Sequence, residues 1–164
     1  MMIGKIAAGV LLSVCMAFPA QAAELKLTIS GVRSDEGAVM VGVYDSEAKF
    51  GEAIAKAAKA GRLVDKDRLI GATMRARMGE LGIGFDVPPG RYGIIVFHDE
   101  NDDGRLDKDM LGIPTEGYGF SNNARGFFSA PSFKDAAVTV GAGVVHTVIL
   151  LDYPGADVLV HSPG

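Results

Sequence analysis

Arg91-Tyr-Gly-Ile-Ile-Val-Phe-His98 decides the fold. Ile94 and Val96 fall on one side of an extended chain, Ile95 and Phe97 on the other, so both faces are apolar. A strand of this kind belongs in the middle of a sheet and must be covered on each side. Working outward, Leu25, Leu27 and Ile29 alternate with polar residues, as do Val39, Val41 and Val43, the period of half-buried strands. With Ser34-Asp35-Glu36-Gly37 as a turn, residues 24–45 read as a hairpin. Further strands are expected at 70–78, 81–87, 136–141 and 144–151. Pro89-Gly90 fits the centre of a type II turn, and Tyr92 fits a tyrosine that ties strand to turn. Between strands, Glu52–Ala60 continues a stripe of Phe50, Ile54 and Ala58, predicting a short helix stopped by Gly61. About seven strands, one short helix and many Gly-centred turns predict an all-β, antiparallel β-sandwich.

The first 22 residues read as an export signal: Lys5, an uncharged run from Ile6 to Phe18, then Ala20-Gln21-Ala22 as an A-x-A cleavage site. Thirteen helical residues would cover only ~20 Å of a ~30 Å hydrocarbon core, so a membrane span is not expected after cleavage. The single cysteine, Cys15, lies in that leader. Disulfides, thiol catalysis and Cys-type zinc sites are therefore not expected in residues 23–164. The net charge is −4, or −5 once Lys5 is removed, and no basic run stands out, which argues against nucleic acid. Residues 23–151 form the expected β-sandwich domain, and 152–164 a tail or an edge strand at Val158-Leu159-Val160. The expected location is the periplasm or the outside of the cell.

Residues 99–135 break the pattern, with much Gly, Asn, Ser and Pro and little periodicity. Leu106, Leu111, Ile113, Tyr118, Phe120, Phe127, Phe128 and Phe133 are too many apolar residues for a solvated segment. The expectation is a long ordered loop folded onto the domain. Its start, His98-Asp-Glu-Asn-Asp-Asp-Gly-Arg-Leu-Asp-Lys-Asp109, gathers six carboxylates around Gly104. Calcium needs six to eight oxygens, so a calcium loop presents oxygens at alternate positions around a sharp turn. Asp99, Asn101 and Asp103 suit positions 1, 3 and 5, the Arg105 carbonyl position 7 and Asp107 position 9. Position 12 is Met110 where an EF-hand has Glu, and a strand precedes the loop instead of a helix. Asp109 or Glu116 would complete the set. The alternative is an acidic surface turn that holds no ion.

A second cluster, Tyr118, Phe120, Asn122, Asn123 and Arg125, offers stacking and hydrogen bonds to a small polar ligand or glycan. Its bland alternative is a loop packed on itself. Catalytic signals are weak. Ser121 lacks the second Gly of G-x-S-x-G, His146 and His161 form no ligand pair, and Glu116 with Asp107 is a pair any acidic loop offers. His98 beside Asp99 and Glu100 is a candidate general base, against the commoner reading of a structural histidine that ends a central strand.

The segments Val87–Tyr92, Val96–Asn101, Gly104–Asp107, Leu111–Gly126 and Ala130–Phe133, with Leu27–Phe50, together resemble the bacterial domain of unknown function 2141 family. The resemblance implies an exported, mainly β domain, with the outline of prealbumin-like or carboxypeptidase-regulatory-like sandwiches beside the immunoglobulin-like outline that the strand count also fits, and brings no activity, substrate or catalytic residue. Residues 52–68 and those after Leu151 depart from it. The reading is a non-catalytic binding or structural envelope module with a calcium-type loop, whose partner is a glycan or an envelope protein. The alternatives are a hydrolase using His98 and the acidic loop, and a structural envelope protein binding no ion. Oligomeric state is not legible.

Overall fold

The computed structural model describes residues 23–61, 68–126 and 129–154. Eight strands form two sheets: β1 (Ala23–Val32), β2 (Ala38–Tyr44), β3 (Ile70–Arg75), β4 (Gly79–Val87), β5 (Gly90–Asp99), β6 (Gly117–Phe120), β7 (Val138–Val140) and β8 (Val144–Leu150). One sheet runs β4-β1-β8; the other runs β3-β2-β5-β6, with β7 also paired to β5. Two helices, α1 (Glu47–Ala60) and α2 (Phe133–Ala136), accompany them. The all-β sandwich is as expected, with one departure from antiparallel pairing, since β1 and β8 run parallel.

Strand β5 is central, with every residue from Tyr92 to Asp99 buried. Tyr92, Ile94 and Val96 meet Val39, Val41 and Val43 of β2 and Leu25, Leu27 and Ile29 of β1 in the core between the sheets. Ile95 and Phe97 point the other way, into a second core with Tyr44, Phe50 and Ala53. Helix α1 therefore covers the outer face of the second sheet. It begins five residues before the expected start: Ser46 caps it through its hydroxyl, and Gly61 closes it at φ 67° with its N–H on the Ala57 carbonyl.

Two expected turns, at 34–37 and at Pro89-Gly90, are instead crossings between sheets, and a third crossing falls inside the expected strand 70–78. Strands β1 and β2 do not form a hairpin; they pair in opposite sheets and face each other across the core. The links at 76–78 and 88–89 cross in the same way. Gly90 opens β5 without the positive φ a type II turn requires. Alternation reports which face is buried, and a crossing arch and a hairpin bury the same residues. Tyr92 does tie strand to crossing, donating its hydroxyl proton to the Pro88 carbonyl at 2.5 Å.

The loop expected at 99–135 contains β6, a 3-10 turn at Ser121–Asn123, and α2. Glycine hid β6 from its sequence, and its packing explains the glycines. A Cβ on Gly117 would run into the Tyr153 ring, and one on Gly119 would sit 2.7 Å from the Leu150 carbonyl oxygen. The possible edge strand at 158–160 lies outside the described residues.

Strands β6 and β7 follow one another along a single edge of β5, pairing with Ile95–His98 and Gly90–Tyr92. Ser121 fills the gap: its Oγ accepts from the Ile94 N–H at 2.9 Å and donates to the Ala136 carbonyl at 2.5 Å. It is fully buried. Ser121→Ala should cost about 1–3 kcal/mol, because both backbone groups lose their partner away from water. Urea unfolding measures this, and a loss under ~0.5 kcal/mol would refute the role.

Candidate functional site

The acidic loop starts where β5 ends, so its first carboxylate lies inside the protein. Asp99 is 2% exposed. Its Oδ1 accepts from the Asp103 N–H at 3.1 Å and its Oδ2 from the Gly104 N–H at 2.8 Å. Asn101 Oδ1 also accepts from the Asp103 N–H, and Asp103 Oδ1 accepts from the Arg105 N–H. Asn101 Nδ2 donates to Asp107 Oδ2 at 2.9 Å. The chain turns sharply at Asp102 (φ 61°) and Gly104 (φ 75°). Leu106 anchors the loop, its side chain on the second core and its N–H on the Gly61 carbonyl.

Glu116 closes the loop. It is 4% exposed, and its two oxygens accept from the Glu100 N–H at 2.8 Å and the Asp107 N–H at 2.9 Å. Asp109 stands apart. Its Oδ1 caps Leu111 and Ile113, shaping a narrow finger that projects Met110 (104% exposed) and Leu111 (83%) into solvent. Of the two acids expected to complete the set, Glu116 joins the loop and Asp109 does not. Among the described residues, no three His, Cys, Asp or Glu side chains converge as a ready ion cage. The carboxylates of Asp99, Asp103, Asp109 and Glu116 are turned onto backbone N–H groups, and Asp102 and Asp103 are exposed.

Burial pushes the Asp99 carboxyl above its ordinary range, as it does that of Glu116; repulsion from Asp103 and Asp102 adds to the first and from Asp107 and Asp99 to the second, and the backbone N–H bonds pull back only in part. Neither has an ion-pair partner among the described residues. Glu100 differs: burial raises it, but the Arg33 guanidinium, Ser34 and nearby charge outweigh that and hold it low. Arg33 lies against the Tyr153 ring at 4.4 Å as well as pairing with Glu100.

His98 is fully buried. Its Nε2 lies 2.8 Å from the Glu36 carbonyl, which only accepts, so that nitrogen carries the proton; Nδ1 then accepts from the Tyr153 hydroxyl at 2.8 Å. The ring keeps no free lone pair for a substrate proton. Tyr153 was missed at the sequence level, because nothing in Asp152-Tyr153-Pro154 signals that it docks beside β5.

The second cluster divides. Asn122 and Asn123 take left-handed φ of 57° and 49° at the corner after β6. Asn122 Nδ2 donates to the Asp135 and Ala137 carbonyls, and Asn123 Oδ1 accepts from the Leu150 N–H at 2.8 Å. Arg125 pairs with Asp152 at 2.8 Å. These polar groups hold the loop together. Tyr118, Phe120, Asn123 and Arg125 nonetheless border a cavity of about 670 Å³ between α1 and β6. Asn122 lies outside it.

The family model for an uncharacterized protein conserved in bacteria, DUF2141, matches residues 27–147. The chain belongs to the DUF2141 family. The match takes in six complete strands, β2 to β7, most of β1 and part of β8, the acidic loop and the cavity wall at β6. No curated protein and no solved structure matches this DUF2141 chain. No helix among the described residues is long and apolar enough to cross a membrane.

The raised carboxyls fix a pH dependence. A group with a folded pKa above its unfolded value binds its proton more tightly when folded, so its stabilising share is present below the unfolded pKa and is lost as pH rises through the raised one. In chelator, the wild type should therefore gain stability relative to Glu116→Gln as pH falls from 7 toward 4. Urea midpoints along that series measure it; parallel curves for the two proteins would contradict it.

Proposed function

We propose that the protein is an exported, non-catalytic binding module of the bacterial envelope, and that calcium organises its 99–116 loop. One observation carries the reading: Asp99 and Glu116 are buried carboxylates with only backbone N–H groups as partners. Buried charges are ordinarily paired or bound to metal. Each carboxylate oxygen has a second lone pair beyond the one spent on an N–H, so the turn bonds and an ion are compatible. Asp103 and Asp107 on the same turn, Asn101 and the Arg105 carbonyl would supply further oxygens of the hard type calcium prefers. The non-catalytic part rests on His98, both of whose nitrogens are already bonded.

Residues 23–164, purified without metal, are melted in calcium and in chelator. At tenfold the dissociation constant, one site adds about 1.4 kcal/mol, a rise of roughly 3–6 °C. Asp103→Ala, at an exposed position, should remove the rise while leaving the melt in chelator little changed. No rise at millimolar calcium would reject the ion; a full rise in Asp103→Ala would reject this loop as its site.

A further inference from the structure

Helix α1 is too short to cover the whole outer face of the second sheet. Beside it, Ile54 and Ala57 of α1, Ile95 of β5, Leu106 of the loop and Phe120 of β6 wall the cavity of about 670 Å³. That volume is within the ~300–1,000 Å³ of small-molecule pockets, which are mostly apolar with a few polar groups fixing orientation. The floor is the continuation of the second core, so the apolar lining is built by the fold and is not a chance surface patch.

The charges at the mouth are unequal. Arg125 is neutralised by Asp152, and the Asn123 Oδ1 accepts from the Leu150 N–H. Lys108 is the cation left over. Its Nζ donates to the Ala58 carbonyl at 3.2 Å in the last turn of α1, and no carboxylate pairs with it among the described residues. A glycan needs several free hydrogen-bonding groups, and the Asn122 amide, the Asn123 side-chain carbonyl and the Arg125 charge of this loop are engaged within the fold. An apolar wall with one spare ammonium at the rim suits a different ligand.

We propose that this cavity binds a small amphipathic monocarboxylate, its alkyl chain against Ile54, Ala57 and Phe120 and its carboxylate at Lys108. The proposal rests on the reading of the chain as a binding module but not on calcium. The two fail separately, since melting reads the ion and ligand titration reads the cavity.

The test is titration calorimetry with decanoate, decan-1-ol and decyltrimethylammonium, each below its aggregation limit, with amide chemical shifts locating the binding. Decanoate should bind at least tenfold more tightly than decanol, and the cationic analogue more weakly than either. Lys108→Gln should bring decanoate to the level of decanol, and Lys108→Glu should weaken it further. Ala57→Trp, which fills the cavity, should abolish binding of both with amide shifts away from α1 unchanged. The Lys108 variants change an exposed side chain, so they decide the matter even where Ala57→Trp does not fold. No decanoate binding at millimolar concentration, equal binding of the cationic analogue, or unaltered binding in Lys108→Gln would overturn the proposal.

Discussion

Burial of β5 on both faces is the constraint on which the rest depends. A strand apolar on one side is satisfied by one opposing sheet; this one also needs a layer over Ile95 and Phe97, and α1 with Phe50 and Ala53 supplies it. Each fully buried side chain of this size contributes about 1.5–3 kcal/mol. The run from Tyr92 to Phe97 therefore outweighs any single polar cost at its end. That margin explains why β5 ends in the interior, on His98 and Asp99, when a half-exposed strand would have released its first polar residues to water.

The polar consequences follow from that end. His98 is carried inside and solvated by Glu36 and Tyr153, one partner for each ring nitrogen. Asp99 bonds to neither a cation nor a hydroxyl among the described residues and turns onto the backbone of its own loop. Glu116 returns from the start of β6 to do the same for Glu100 and Asp107. Two carboxylates are thus brought together because the strands that carry them are neighbours, β5 and β6. Arg33 is near, but it is committed to Glu100.

Much of this was legible in the sequence, and what was not has identifiable physical causes. Alternation at Leu25–Ile29 and Val39–Val43 and the two-faced run at Ile94–Phe97 gave the strands and their buried faces, because side-chain direction has period two whatever the pairing. It could not give partners, so the β1–β2 crossing was misread as a hairpin and the parallel β1–β8 pair went unseen. Strand β6 was invisible because its glycines are set by the close approach of Tyr153 and Leu150, which are distant in sequence. In the acidic loop, the alternate spacing marked the oxygens that cap the turn. Choosing Glu116 over Asp109 needed the fold, since only the β5–β6 pairing brings residue 116 back to residue 100.

Ser121-Asn122-Asn123 shows how a string that resembles a binding motif serves the scaffold. The edge of β5 is longer than either β6 or β7, and the main chain must leave it and return. Leaving exposes the Ile94 N–H, which the serine hydroxyl takes up. Turning requires left-handed backbone, which asparagine tolerates better than other non-glycine residues. Returning strands the carbonyls of Asp135 and Ala137, which the Asn122 amide satisfies. Ser121 and Asn122 answer backbone groups that the detour would otherwise leave without a partner, and Asn123 takes up the Leu150 N–H of β8. Their polarity thereby serves the fold, and the neighbouring cavity keeps mainly apolar walls, with one ammonium at its rim that no carboxylate pairs with among the described residues.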